Sequence, residues 1–277
     1  MNSLEPILKQ ALNGDIVAFQ QLFAQFQPHL KSYLYRLLVD RNDTDDLTHD
    51  TFVRAFDKLG TFAGGSSLKT WVFQIATNLA YDFLRTRPRW RTDAQDVSKA
   101  YSMANLYTRD AFFAVHAHSP QGDYDIREHI DFCFTCTGKT LPIEHQVALL
   151  LKDVYGFSVV EISQILDRTE SFVKHLLRDA RQTMIGIFAD RCALVSKTGT
   201  CHQCSELNGV FNPKQNKQVE LMKLALVRAS EDASQSELYE LRAALVQHID
   251  PLTSGGADLQ DAIMRCTRKA IGETNTF

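Results

Sequence analysis

Apolar residues return every third or fourth position along nearly the whole chain, and no stretch alternates strictly between apolar and polar. A half-buried strand needs a period of two, so this single period confines the fold to packed helices, the all-α class. From residue 16 to 39 the apolar set is Phe19, Leu22, Phe23, Phe26, Leu30, Leu34, Leu37 and Leu38, with Pro28 marking a kink or a helix boundary. Further helices are expected over 3–13, 44–59, 68–86, 126–137, 142–154, 158–166, 170–188, 216–230, 234–249 and 257–271. Between Pro88 and Glu128 the period fades and Asp, Ser, Gln and Gly accumulate, which reads as a linker with one short helix near 99–107. The expected organisation is two small helical domains, 1–90 and 129–190, joined by a linker, 91–128. A cysteine-bearing segment over 190–214 opens a helical C-terminal extension, 191–277.

The 277 residues suffice for two domains and a small third. No apolar run nears the ~18 residues of a membrane helix, so no membrane partner is expected. The start, MNSLEPILKQALNGD, lacks a basic segment followed by an apolar one, so a cytoplasmic chain is expected. In that compartment its six cysteines would be thiols or metal ligands. The net charge of -3 excludes the strongly basic profile of an indiscriminate nucleic-acid binder. The charge is nevertheless segregated. Asp40, Asp43, Asp45, Asp46 and Asp50 form an acidic block, and Arg85, Arg87, Arg89 and Arg91 a basic one. Such a layout suits one basic and one acidic partner.

Residues 155–184, YGFSVVEISQILDRTESFVKHLLRDARQTM, carry the clearest local signal. Ser158 can cap a helix with Val159, Ile162, Ile165 and Leu166 inward, Asp167 and Arg168 make a tight turn, and Thr169 caps a second helix. The second would bury Phe172, Val173, Leu176, Leu177 and Ala180 and present Lys174, His175, Arg178 and Arg181. This is the layout of a helix-turn-helix, whose second helix offers cations to base edges and phosphates in the major groove. An ordinary helical hairpin with a solvated basic face fits the same pattern. Upstream, the TFAGGSSLKT loop lets a ligand approach backbone. Lys69 lies among Phe62 and Trp71, as cations and stacking rings do at single-stranded nucleic-acid sites. Asn78, Asp82 and Arg85 recur at helical spacing as one polar stripe.

The string DRNDTDDLTHDTFVRAFDKLGTFAGGSSLKTWVFQIATNLAYDFLRTR resembles the second conserved region of bacterial RNA polymerase sigma factors. With the helix-turn-helix ending VKHLLRDAR, the chain resembles their short extracytoplasmic-function class, over about residues 10–90 and 135–190. The resemblance implies a polymerase subunit, not an enzyme, that directs promoter recognition, DNA melting and transcription initiation. By it, Asp45, Asp46, Thr48, Asp50 and Arg54 would dock on the clamp of the largest subunit of core RNA polymerase. Lys69, Trp71, Asn78, Asp82 and Arg85 would open and read the minus-ten element as single strand. Arg168, Lys174, His175, Arg178 and Arg181 would read the minus-thirty-five element as duplex. The clustered arginines would face phosphate, and an anti-sigma factor would be a further partner. The alternative is a polymerase-independent helix-turn-helix regulator with a structural zinc site.

Cys133 and Cys136 form one CxxC, and Cys201 and Cys204 another, with Cys192 upstream of it. Such spacing lets thiolates share a tetrahedral zinc ion, with all five as candidate ligands. The same cysteines would also serve as small packed apolar groups or as redox thiols. Cys266 stands apart. Leu221, Leu224, Leu241, Leu245 and Ile249 give the extension an apolar side for packing or for a partner.

Overall fold

The computed structural model describes residues 5–118 and 124–273; the 119–123 part of the expected linker lies outside them. In chain order the helices are α1 (Glu5–Leu12), α2 (Ile16–Ala24), α3 (Gln27–Leu38), α4 (Arg41–Asp57), α5 (Leu68–Leu84), α6 (Ala94–Ala104), α7 (Leu106–His118), α8 (Ile126–Gly138) and α9 (Ile143–Leu149). After a π-type turn at Leu150–Val154 come α10 (Val159–Leu166), α11 (Glu170–Arg191), α12 (Ala193–Ser196), α13 (Gln203–Phe211), α14 (Gln218–Leu221), α15 (Ala225–Arg228), α16 (Gln235–Gln247) and α17 (Ala257–Ala270). The fold is all-α, and no strand occurs among the described residues. Two compact units form, each from two stretches of chain. The first joins residues up to Arg87 with Leu150–His175, and the second joins Pro88–Leu149 with Leu176 onward.

In the first unit, local chemistry sets the helix ends. The Asp15 carboxylate accepts from the backbone N–H of Val17 at 2.9 Å and of Ala18 at 3.1 Å, starting α2. Pro28 sits in the first turn of α3, where its missing N–H costs nothing, so it marks a boundary rather than a kink. Val39 ends α3 at φ 55°, a left-handed conformation that strains a β-branched residue, and Asp40 then caps α4 by accepting from the Asp43 N–H at 3.0 Å. The core gathers Phe19 and Phe23 of α2, Leu30, Tyr33, Leu34 and Leu37 of α3, and Val72, Phe73, Ala76 and Ala80 of α5, all nearly inaccessible. Phe52 of α4 closes it, 5.3 Å from the Phe19 ring and edge-on to Phe23 at 5.2 Å. The inner face of α4 mixes Leu47, Ala55 and Phe56 with three threonines. Thr44, Thr48 and Thr51 are buried, and their hydroxyls donate to carbonyls four residues back at 2.6, 2.7 and 2.6 Å.

The second unit is organised around α8, most of whose residues are buried. Asp125 and Glu128 form a capping box at its start. The other Glu128 oxygen accepts the Gly256 N–H at 2.7 Å, and a Cβ at Gly256 would collide with the Glu128 carboxylate and displace it. Helices α13, α16 and α17 pack on α8, and α17 also covers α6 and α7. Ile126 and Ile130 of α8 join Val195, Leu224, Leu226, Val227 and Leu238 in one apolar cluster, with Leu221, Leu241 and Leu245 against it. Residues 94–118 are therefore two helices, not an irregular strap with one short helix. Their weak apolar faces become useful once α17 supplies a matching surface.

Candidate nucleic-acid and polymerase surfaces

Helix α4 carries the acidic ridge. Asp45, Asp46, Asp50 and Arg54 are exposed, and Asp45 pairs with Lys31 of α3 at 2.5 Å. Thr48 is only 5% exposed, its hydroxyl turned to the Thr44 carbonyl, so it supports the ridge from beneath and presents nothing to a partner.

Helix α5 follows the glycine loop. Ser67 caps it by accepting the Thr70 N–H at 3.0 Å, and Gly64 at φ 72° makes the preceding bend. Phe62 and Trp71 meet at 5.4 Å between ring centres, forming a half-buried aromatic pair. Asn78, Asp82 and Arg85 project from the same helix as one exposed stripe. Lys69 lies differently. Its ammonium sits 4.6 Å from the Phe157 ring centre and 5.7 Å from that of Phe73, and burial lowers its pKa while Glu161 opposes the shift.

Phe157 and Glu161 belong to the segment that leads into the helix-turn-helix, and α10 lies across the start of α5. The Gln74 side-chain amide donates to the Gln164 carbonyl at 3.0 Å, and that of Gln164 donates to the Gly65 carbonyl at 3.3 Å. The Thr70 hydroxyl donates to Glu161 at 3.4 Å. Burial raises the Glu161 pKa, but hydrogen bonds from Ser158 and Thr70 and the charge of Lys69 outweigh it and hold the group down. Tyr155 ties the same segment to α3. Its hydroxyl lies 2.6 Å from the guanidinium of fully buried Arg36 and 2.8 Å from Ser32. The sequence gives Glu161 away only as the third residue of a capping box; its second role in holding α5 has no local signature.

The helix-turn-helix forms as its caps require. Ser158 and Glu161 close a capping box, Asp167 turns the chain at φ 52°, and Thr169 accepts the Phe172 N–H at 3.2 Å. Val173, Leu176, Leu177 and Ala180 are buried along α11. Phe172 is not; it is 39% exposed, with the Arg168 guanidinium 5.9 Å from its ring centre. Arg168, Lys174, His175 and Arg178 are exposed, Arg181 is half-buried, and Arg178 Nε pairs with Asp179 at 2.9 Å. Two residues of the upstream arginine run turn inward, and a third, Arg91, is exposed but paired. Arg87 packs 4.1 Å from the Phe83 ring and 3.5 Å from Asp43. Arg89 donates to the Leu141 carbonyl at 2.6 Å, burial lowering its pKa to about 10 against Glu273, and Arg91 forms a 2.7 Å pair with Asp93. Only Arg85 continues the α5 stripe.

Five cysteines of the second unit, Cys133, Cys136, Cys192, Cys201 and Cys204, line one cavity of about 30 Å³. Burial pushes the Cys133 thiol up to about 12, with Cys192 and Cys201 adding to the shift. His129 borders the same cavity, stacked on Phe132 at 5.1 Å, and burial lowers its pKa to about 4.

Residues 22–90 match the family described as Sigma-70 region 2, and residues 135–184 match Sigma-70, region 4. The chain is 28% identical over 156 residues to the ECF RNA polymerase sigma factor SigX of Bacillus subtilis, covering 56% of this chain and 76% of that one. It is 26% identical over 186 residues to the RNA polymerase sigma-H factor of Pseudomonas aeruginosa, covering 65% and 91%. The solved structure of CnrH in complex with the cytosolic domain of CnrY overlays with a TM-score of 0.46 at 21% identity, over 66% of this chain and 94% of that one. Both conserved regions thus stand in the family's order, one holding the acidic ridge and the α5 stripe, the other the helix-turn-helix. Residues 22–90 and 135–184 carry sigma-70 regions 2 and 4, and with the ECF-class relatives they support an RNA polymerase sigma factor of the ECF class that acts in transcription initiation.

Proposed function

We propose that the α4 ridge docks this chain on core RNA polymerase, that α5 reads the minus-ten element as it melts, and that α11 reads the minus-thirty-five element. The carrying observation is that Asp46, Asp50 and Arg54 on α4 and Asn78, Asp82 and Arg85 on α5 are all exposed on one small bundle. That gives an anionic surface for a basic protein and a polar, one-cation stripe beside the Phe62–Trp71 pair for unstacked bases. The chain then acts by binding and positioning, not as an enzyme, and works in the cytoplasm beside polymerase. An anti-sigma protein belongs to the proposal as the family resemblance implies. A polymerase-independent regulator is the disfavoured alternative, since it needs neither surface of the first bundle.

Reading both elements at once sets a distance requirement. Their names place them about 25 base pairs apart, roughly 85 Å at ~3.4 Å per step. Helices α10 and α5 touch, and α11 is bound to α10 by a three-residue turn. Promoter reading therefore requires α10 to leave α5, which frees Lys69, Thr70 and Gln74. Run-off transcription with core polymerase on a genomic fragment library tests the reading. Discrete start sites that depend on the chain are expected, and none with active core enzyme present would refute it.

A further inference from the structure

The cysteines are not used by any surface described above, and their arrangement is specific. Cys133 comes from the middle of α8. Cys192 and Cys201 face each other across an isolated parallel bridge, with the Cys201 N–H donating to the Arg191 carbonyl at 2.7 Å and the Ala193 N–H to the Cys201 carbonyl at 3.1 Å. Bridged residues stand about 4.8 Å apart and send their side chains to one side of the backbone. The loop that returns the chain to this bridge passes so close to it that a Cβ at Gly199 would lie 2.5 Å from the Arg191 carbonyl oxygen. Cys204 follows in the first turn of α13, one CxxC step from Cys201.

These four thiols meet in one place. Each lines the same cavity, whose volume of about 30 Å³ accommodates one water-sized or ion-sized body. The fifth, Cys136, also lines the cavity but is engaged by Met264, their sulfurs 3.9 Å apart. No carboxylate lines the cavity, which disfavours magnesium or calcium, while a set of thiols selects a soft or borderline cation. Two cations flank the cluster. Arg242 is 4% exposed, lies over the Phe188 ring at 4.2 Å and acts on Cys133 and Cys204; Arg191 acts on Cys201. Four thiolates on a divalent ion leave a net charge of about -2, which Arg242 offsets in part, Arg191 being shared with Asp96 at 2.5 Å. Among the described residues no three Cys, His, Asp or Glu side chains stand in a ready-made coordination shell. A cysteine sulfur, however, moves among three staggered positions by rotation about one bond, so side-chain rotation alone re-aims each thiol.

We propose that Cys133, Cys192, Cys201 and Cys204 bind one zinc ion in a closed, structural site that ties α8 of the second unit to the C-terminal extension. Binding releases the thiol protons to solvent and changes no oxidation state. With all four positions filled by sulfur, the ion has no open position for chemistry.

The full chain, purified under reducing conditions, should contain one zinc per molecule by elemental analysis. Replacing zinc with Co²⁺ should give the intense thiolate-to-cobalt charge-transfer absorption of a tetrahedral sulfur site. Alkylation with mass-spectrometric mapping should find Cys133, Cys192, Cys201 and Cys204 protected in the metal-loaded protein and released by a chelator. This readout needs no variant that could fail to fold. C136S should retain the cobalt absorption, and C133S should lose it. Substoichiometric zinc with no cobalt charge transfer, or a Cys192–Cys201 disulfide in protein kept from air, would overturn the proposal. Loss of the absorption in C136S and not in C133S would overturn the ligand assignment. None of these readouts involves polymerase or promoter, so they stand or fall separately from the sigma-factor reading.

Discussion

Tyr155→Phe isolates the contact that keeps α10 and its leading segment on the first bundle. The ring stays, with its edge-to-face packing on Tyr33 at 5.7 Å and its position under the Arg36 guanidinium, also 5.7 Å away. What goes is one hydroxyl, which accepts from the buried Arg36 guanidinium at 2.6 Å. A hydrogen bond to a charged group contributes about 1.5–3 kcal/mol net. If the segment from Tyr155 to Leu166 must leave α3 and α5 before polymerase and promoter are engaged, that energy is lost from the closed state alone. The closed-to-open ratio then falls by about ten- to a hundredfold, and the apparent Kd for core polymerase falls by the same factor while the closed state dominates.

Titrating labelled core polymerase with wild-type and variant chains measures this directly, and run-off transcription at limiting chain should rise in parallel. Tyr33→Phe is the control. Tyr33 is fully buried and shares a 2.9 Å hydrogen bond with Thr77, but this bond joins α3 to α5 within the bundle and does not cross the seam that opens. Its loss should lower the melting temperature, at a cost of about 1 kcal/mol, and leave core affinity unchanged. If Tyr155→Phe behaves like Tyr33→Phe, less stable with no gain in core affinity, then the hydroxyl holds the fold and not the closed arrangement, and the opening step is wrong.

Asp46→Arg should weaken core polymerase binding without changing the melting temperature, because the residue is exposed and makes no structural pair; holoenzyme assembly on a sizing column checks both. Arg178→Ala should reduce selectivity for the upstream element by about 1–3 kcal/mol if it contacts a base edge, read by competition between promoter variants. Gly256→Ala should destabilise the second unit by about 1–3 kcal/mol, since the methyl displaces Glu128 from its hydrogen bond; thermal unfolding measures it. Ending the chain at Arg191 should give an aggregating product in size-exclusion chromatography, because Ile126 and Ile130 lose Leu224, Leu226, Val227 and Leu238 together, at about 1.5–3 kcal/mol for each buried side chain.

Where local chemistry decides structure, the residues announce it. Ser158, Asp167 and Thr169 each act within four positions, and so the helix-turn-helix is legible. The stripe of Asn78, Asp82 and Arg85 follows from helical geometry alone. Arg89 is the opposite case. In sequence it is one of four alternating arginines after a helix, yet it turns inward because the Leu141 carbonyl, about fifty residues on, gives a buried guanidinium an acceptor. Phe172 has the spacing of a core residue but falls at the edge of the buried face, where Arg168 shields it. Helix α7 has no buried residue, so its pattern is faint and its reason for forming lies in α17, some 150 residues away. The convergence of Cys133 with Cys192 has the same non-local origin; spacing identifies each CxxC but not which pair meets.

The inward arginines also change how the charge segregation should be understood. If Arg85, Arg87, Arg89 and Arg91 all met phosphate, the first bundle would hold DNA on its own, with a salt slope of about -0.9 for each contact. Arg87 and Arg89 are instead committed to Asp43 and Leu141, Arg91 stays at the surface in a pair with Asp93, and Lys69 lies on Phe157 while α10 is seated. The free chain therefore offers the downstream element little beyond Arg85, the Asp93-paired Arg91 and a stacking pair. In the proposed function, docking through the α4 ridge would raise the local concentration of promoter around these few groups, and separation of α10 from α5 would add Lys69 to them. Weak autonomous DNA binding follows from this distribution. Dependence on polymerase, in the proposed function, would then be a property of where the cations point, which the net charge of -3 does not reveal.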